Sequence, residues 1–330
     1  MLRKILKWTG YVLFAVVCYA LFLFYTFPLD LVMDKVLAQA QQQGYQVSIN
    51  SSSTTLLPPG VSFEGIKVRH VDWGEETPPL AIEGLSLSGA LWTLNSDAPA
   101  ASFDLEIAKG DISGDFSYAK ATQDLNLDLD LSDLDLKLMP FFDRIPLPLS
   151  GVMDGAIDFT WNLHNPAKAH GEIDIAIEKA VLGPAEQPLK VPAVRLGTFK
   201  ISMAAENGVL RVVDWGGQGE DASLEAVGTV RLNQDFSGVR PNLTYRFKLG
   251  DLIQQDPTIA TLLTIARSGQ AQDGYYYYKL AGTMKSPSFL PSKNSARVWE
   301  QEKKRSKTEA KPPAQKSEPR QPKARETKRK

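Results

Sequence analysis

Alternation of apolar and polar residues runs through most of this 330-residue chain. Between residues 45 and 284, apolar side chains repeatedly occupy every second position, as in "GVSFEGIKVRHV", "SFDLEIAKGDISGDFSY" and "GEIDIAIEKAVL". Glycine, aspartate, proline and Asn-Gly separate these stretches at short intervals. A period of two residues is typical of strands with one buried and one solvated face, and close turns favour antiparallel pairing. The pattern therefore predicts a mainly β protein.

The stretch "DLNLDLDLSDLDL", Asp124–Leu136, shows the alternation most strongly. Its leucines keep one parity up to Leu131 and take the other parity from Leu134 onward. One extra residue turns every following side chain over, so the slip at Ser132–Asp133 predicts a bulge. The alternative is a calcium-binding loop, because acidic or amide side chains stand at its first, third, fifth and twelfth positions. Leu129 occupies the sixth position, where that loop needs glycine, so we interpret the stretch as a strand with solvated aspartates.

Two segments have helical spacing instead. Residues 28–44 place apolar side chains on one face between a proline and a glycine, which predicts an amphipathic helix. This helix would either lie on a bilayer surface or cap the domain that follows it. Residues 256–269 begin with Asp256 and Pro257, which suit a helix N-terminus, and end at a glycine.

The N-terminus has the composition of a membrane anchor. Residues 8–27 contain no charged residue and are long enough to span a bilayer. Three basic residues precede this stretch and two aspartates follow it, which predicts a cytoplasmic N-terminus, at residues 1–7. The alternative is a cleaved signal peptide, but bulky residues stand where a cleavage site needs small ones. We therefore expect a single-pass inner-membrane protein whose chain from residue 28 lies in the periplasm of a Gram-negative bacterium.

Charge divides the chain into unlike parts. Residues 293–330 carry fourteen basic and five acidic residues, and Trp299 is their only aromatic residue. Such a segment predicts a disordered basic tail, after a periplasmic β-rich domain at residues 28–292. Residues 8–292 carry 20 basic and 33 acidic residues, which argues against a nucleic-acid partner. The single cysteine, Cys18, lies in the apolar stretch, so neither a disulfide framework nor a cysteine metal site is expected.

Motifs that carry chemistry are missing from the sequence. It contains no Gly-rich phosphate loop, no G-x-S-x-G and no H-E-x-x-H. We therefore predict a protein that is not an enzyme, with no catalytic, cofactor-binding or metal-binding residues. His164 and His170, with Glu172 or Asp174, offer an alternative zinc site, but histidines of a surface turn are the simpler interpretation.

Two further patterns allow a structural interpretation. Four tyrosines at Tyr275–Tyr278 would place two rings on each face of a strand, where they either pack or stack on a ligand; packing is the simpler interpretation. "RHVDWG" at Arg69–Gly74 recurs as "RVVDWG" at Arg211–Gly216, each followed by an alternating strand. This recurrence indicates a duplicated β unit, with Asp-Trp-Gly at a strand end and turn.

Several short motifs, in their order along the chain, resemble the type II secretion system protein N (GspN) family. They are the segment "FPLDLVMDKVLAQAQQQGYQVSINSSSTTLLPPGVSFEGIKV" after the anchor, the joint "LPLSGVMDGAIDF" at Leu147–Phe159, and the signature G-T-x-x-x-P-x-F at Gly282–Phe289. The resemblance covers roughly residues 1–291. The same features are similar to the AsmA-like superfamily of anchored periplasmic proteins.

The resemblance implies a fold and two functions. The fold would be a curved, largely antiparallel β-sheet rolled into a groove, with an N-terminal transmembrane helix, a short juxtamembrane helix and a disordered C-terminal tail. The first function is an inner-membrane accessory component of the type II secretion system, with other secretion subunits and the membrane as partners. The alternative is an AsmA-like protein that binds or transfers lipid in an apolar groove. The family has no catalytic residues.

Overall fold

A single antiparallel sheet dominates the computed structural model, which describes residues 29–56, 59–71, 73, 77–89, 96–139, 148–162, 164–184, 190–234, 238–292 and 295–309. Within these ranges fifteen strands form one open, curved sheet. From β3 to β15 each strand pairs with the next along the chain, while β1 and β2 both pair with β3. The prediction of a mainly β protein with a curved antiparallel sheet is therefore confirmed.

The strands have the following bounds: β1 Tyr45–Ser48, β2 Ser51–Leu56, β3 Pro59–His70, β4 Leu80–Gly89, β5 Ala100–Ile107, β6 Gly110–Ala119, β7 Asp124–Asp135, β8 Leu149–Asn162, β9 His170–Leu182, β10 Val194–Glu206, β11 Val209–Gln218, β12 Ala222–Arg231, β13 Arg240–Leu249, β14 Tyr276–Thr283 and β15 Ser286–Pro291. The sheet has two rims. The near rim holds the start of β1 and the connections β3–β4, β5–β6, β7–β8, β9–β10, β11–β12 and β13–β14. The far rim carries the remaining connections, from β4–β5 to β14–β15.

The aspartate-rich stretch forms β7, as its alternation predicts. The register of β7 against β8 shifts between Leu131 and Leu134, and Asp133 has φ 55°. The predicted bulge is therefore confirmed at Ser132–Asp133. Because the stretch is paired on both sides as a strand, the calcium-loop alternative is wrong.

Four helices accompany the sheet in the described residues: α1 Leu29–Gln42, α2 Asp251–Gln254, α3 Pro257–Ala266 and α4 Ser295–Glu309. The Asp256 carboxylate accepts hydrogen bonds from the backbone N–H groups of Thr258 and Ile259, which fixes the start of α3. Both sequence-predicted helices are thus confirmed. In the described part of the chain no helix is long and apolar enough to cross a bilayer; residues 8–27, where the anchor is predicted, lie outside it.

The predicted disorder of residues 293–330 is wrong for the part that forms α4. Trp299 is completely buried although its helix is rich in charge, and its ring packs edge-on to Tyr277 at 6.2 Å. The buried Trp299 ring and the ion pair between Lys303 and Glu225 hold this charged helix on the sheet. Residues 310–330 lie outside the described part of the chain.

The recurring hexapeptide does not mark one structural unit twice. Arg69 and His70 end β3, and of the residues that follow only Val71 and Trp73 are described. The second copy, Arg211–Gly216, lies wholly inside β11. The expectation that Asp-Trp-Gly forms a strand end and turn is therefore wrong for this copy, because the Trp215 ring packs edge-on to Phe199 at 4.9 Å within the sheet.

Candidate functional site

One continuous apolar face crosses the sheet. Residues directly opposite each other in a sheet share a face, and the register places Leu129 opposite Ile157, which in turn faces Ile173 on β9. Ile173 faces Met203 on β10. Further along, Leu224, Phe247 and Tyr276 stand opposite one another on β12, β13 and β14, in a second row of the same face that runs through Phe199 and Ile177. Because the described strands form one sheet, no second sheet packs on this face within the described residues.

Near the near rim the apolar face is packed into a core. Ile107, Leu134, Ile177, Leu196 and Ala222, from five different strands, belong to one buried cluster. A 3-10 turn that follows β7 contributes two more members to this cluster, at positions 136 and 139. This half of the face, which we call the near half, is therefore closed by its own connections.

Toward the far rim the same face stays open and forms an apolar pocket of about 590 Å³. The pocket is lined by Trp161, Leu210, Val230, Leu232, Asn233, Gln234, Val239, Pro241, Leu243, Leu280 and Met284. Nine of these eleven side chains are apolar, so the pocket offers contact surface but few hydrogen-bonding groups. Its volume lies in the range of ordinary small-molecule sites. We call this part of the apolar face the far half.

Aromatic side chains extend the apolar face along β13 and β14. Phe247 stacks on Tyr276 with ring centroids 5.0 Å apart and an interplanar angle of 9°. Burial raises the pKa of Tyr245 to about 12, because the phenolate would lose its hydration there. Tyr276 and Tyr278 contact Phe247, whereas Tyr277 turns toward α4. The strand-packing interpretation of the four tyrosines therefore agrees with the structure.

The opposite, outer face carries the carboxylates. Asp115, Asp128, Asp158 and Glu172 stand directly opposite one another on four consecutive strands, β6 to β9. Like charges in this arrangement destabilise a sheet modestly. Asp130 is exposed and Asp128 is half-buried, so the predicted placement of these aspartates on the polar face is confirmed.

The histidines and acids of the proposed zinc alternative do not converge. His164 lies in the turn between β8 and β9, while Nδ1 of His170 lies 3.0 Å from the Lys168 carbonyl oxygen. Glu172 and Asp174 follow on β9 and face β8 residues Asp158 and Ala156. Among the described residues, no three His, Cys, Asp or Glu side chains are grouped to hold a metal ion.

Beneath α4, the outer face has a cluster that the sequence-based reasoning missed. The Arg246 guanidinium lies 4.7 Å from the Trp299 ring centroid and 4.5 Å from that of Tyr275. Arg246 also donates to both oxygens of Glu225, at 3.0 and 3.1 Å, and Lys303 donates to the same carboxylate at 3.1 Å. The sequence signal was a tryptophan four residues before a lysine, which places both on one helix face.

The ionic contacts under α4 set the protonation of Glu225. Burial alone would raise the pKa of this carboxyl, but the hydrogen bonds from Arg246 and Lys303 outweigh it and hold the pKa below its ordinary value of 4.5. Burial would likewise lower the pKa of Arg246, and its hydrogen bonds, including that to Glu225, reverse this effect. Both groups therefore stay charged near neutral pH.

Comparisons with known proteins give no match to a family model, to a curated protein or to a solved structure.

Proposed function

We propose that the protein binds the acyl chain of an envelope lipid in the far half of its apolar face. The observation that carries this proposal is the 590 Å³ pocket, which nine apolar side chains line. An acyl chain needs apolar surface and no hydrogen-bond partners, and burial of such surface contributes about 25 cal/mol per Å². In this proposal the closed near half stabilises the fold, and the open far half holds the ligand.

The test is lipid retention by the full chain extracted in a mild non-ionic detergent. Leu280→Glu places a carboxylate in the pocket, whereas Lys279→Glu places the same residue on the other face of β14. We expect the Leu280 variant to lose co-purified lipid in mass spectrometry and the Lys279 variant to keep it. Equal lipid content in both variants, or no lipid in the wild-type protein, would reject the proposal.

A second candidate function is that of an accessory component of the type II secretion system. Two of the motifs behind the resemblance contain residue types that the fold requires. Gly151, in the joint motif, has φ 147°, and a Cβ there would lie 2.7 Å from the Glu178 carbonyl oxygen. The signature Gly282–Phe289 forms the hairpin of β14 and β15, with Pro287 on the edge strand, where proline is tolerated.

Crosslinking in intact cells tests this second function. A photoreactive residue at exposed Phe289, on the edge strand, is expected to capture another secretion subunit. The same residue at exposed Lys109, in the β5–β6 turn of the near rim, serves as the control. Loss of export on deletion of the chain is the second expected result. Normal export without the chain would reject a role in secretion.

The predicted topology forms part of both functions. An inner-membrane anchor at residues 8–27 would place the sheet in the periplasm, where envelope lipids and secretion subunits are found. A reporter enzyme that is active only in the periplasm, fused after residue 292, should be active. Activity of a cytoplasm-specific reporter at the same position would show that the sheet lies on the other side of the membrane.

A further inference from the structure

Two arginines face each other at the far rim. Arg231 ends β12 and Arg240 begins β13, and the register places them directly opposite each other. Both are exposed. Two like charges in this position destabilise a strand pair unless something of opposite charge lies between or beside them.

Neither guanidinium has such a partner in the described part of the chain, where neither forms an ion pair or a hydrogen bond. Across the sheet from Arg231, Val209 of β11 is its direct neighbour, and Glu206 of β10 lies beyond Val209. Two strand spacings, about 10 Å, therefore separate the Glu206 and Arg231 backbones. Within the residues that the structure describes, this pair of positive charges is therefore uncompensated.

The two arginines line a pocket of about 520 Å³. Thr229 and Asn242, on the same two strands, and Thr283, at the end of β14, also line it. Hydroxyl and amide groups donate hydrogen bonds to oxyanions, and the two guanidinium groups add charge and paired N–H donors. Among the described residues, no carboxylate belongs to the lining.

We propose that Arg231 and Arg240 form a binding site for a phosphate-type oxyanion. The planar fork of arginine matches two oxygens of one phosphate group, which lysine does not achieve. A bound phosphate would also remove the repulsion between the two guanidinium groups. The ligand class is thus a phosphate monoester, a phosphodiester or inorganic phosphate.

The position of the site next to the apolar pocket indicates one source of that phosphate. Pro241 lines both pockets, which lie on opposite faces of the same strand end. A phospholipid with its acyl chain in the far half could bring its headgroup around the rim to the two arginines. This identification of the source depends on the proposed lipid-binding function, whereas the oxyanion site itself does not.

Titration with inorganic phosphate tests the site on the full chain in non-ionic detergent. Because a hydrogen bond to a charged group contributes enough to change an equilibrium constant about tenfold or more, Arg231→Gln and Arg240→Gln should each weaken phosphate binding by about that factor. Arg267→Gln, which removes the same charge from an exposed turn after α3, is the matched control and should bind as the wild-type protein does. Equal phosphate affinity in all four proteins would overturn the proposal.

The ligand-free proteins provide an independent readout. If the two charges repel each other, Arg240→Gln should raise the thermal unfolding temperature in phosphate-free buffer. Added phosphate should then raise the unfolding temperature of the wild-type protein more than that of the variant. A lower unfolding temperature of the ligand-free variant would assign Arg240 a structural role and overturn the site.

Experiments with lipid distinguish a phospholipid headgroup from free inorganic phosphate as the source of the bound group. Nanodiscs that contain phosphatidylglycerol supply an anionic headgroup, and nanodiscs of phosphatidylcholine alone serve as the comparison. The Arg231→Gln, Arg240→Gln double variant should retain less phosphatidylglycerol than the wild-type protein does. Leu280→Glu should abolish lipid retention and leave inorganic phosphate binding intact. If Leu280→Glu keeps its lipid but the arginine variants lose phosphate, the lipid function fails and the oxyanion site stands. If the double variant binds both as the wild type does, the oxyanion site fails.

Discussion

The near and far halves of the apolar face have the same sequence pattern but differ in how far their side chains are buried. On β7, Leu134 is completely buried, whereas Leu125, Leu127 and Leu129 on the same strand are only half-buried. The difference comes from what lies above each leucine. The 3-10 turn after β7 adds apolar side chains to the core around Leu134, while the leucines toward the far rim have no second sheet to cover them in the described residues.

Alternation of apolar and polar residues does not by itself distinguish a closed core from an open groove. Alternation specifies which side chains share a face, and it does so equally along the whole strand. Closure of that face depends on connections that have no periodicity of their own. A protein can therefore use one repeating pattern for both stability and ligand binding, with closure supplied by connections such as the 3-10 turn after β7.

The largest effect should come from truncating the closed half. Leu134→Ala removes a completely buried side chain and should lower the free energy of unfolding by about 2–5 kcal/mol. Leu127→Ala is the matched control on the same strand and should cost about 1 kcal/mol, because water already reaches part of that side chain. Denaturant unfolding of the full chain in detergent measures both. Equal costs would mean that the far half is as tightly packed as the near half.

The next effect concerns α4 on the outer face. Trp299→Ala removes the buried anchor of this helix and should cost about 3 kcal/mol of docking free energy. Trp299→Phe should cost much less, because the buried indole N–H has no hydrogen-bond partner in the described structure and so adds no favourable contact. Hydrogen exchange of residues 295–309 reports the docking. The interpretation would fail if the alanine variant protected these amides as well as the wild type does.

Low pH should weaken the docking of α4, by less than the Trp299→Ala substitution does. The pKa of Glu225 is depressed in the folded protein, so its contribution is fully present above the ordinary value of 4.5 and is lost as pH falls through the lower folded value. In NMR spectra, the indole N–H resonance of Trp299 can be assigned because it is absent from Trp299→Phe. Below about pH 4.5 this resonance should shift toward the position of a solvent-exposed indole, as the helix undocks. Glu225→Gln should flatten this pH dependence. A helix that stays docked in the wild type at pH values well below that range would contradict the role of Glu225.

The sequence predicted the sheet, the β7 bulge and two helices because each depends on local order. The slip at Ser132–Asp133 is visible as a change of parity, and the start of α3 is visible as Asp256 and Pro257. The docking of α4 was missed because it depends on partners such as Arg246 and Glu225, far away along the chain. The far-rim pair Arg231 and Arg240 was missed for the same reason, since only the register reveals that they face each other.

The smallest effect should come from the aspartates that first suggested a calcium site. Asp128 and Asp130 lie on the outer face of β7, and Asp128 stands directly opposite both Asp115 and Asp158. Conversion of both to asparagine keeps their shape and removes like-charge repulsion, so the free energy of unfolding should change by no more than about 0.5 kcal/mol, in the stabilising direction. Thermal unfolding with calcium and with a chelator measures this change and tests the rejected alternative at once. Calcium should stabilise the wild type and the double variant equally or not at all, because the two residues belong to a paired strand and to no ion-binding loop.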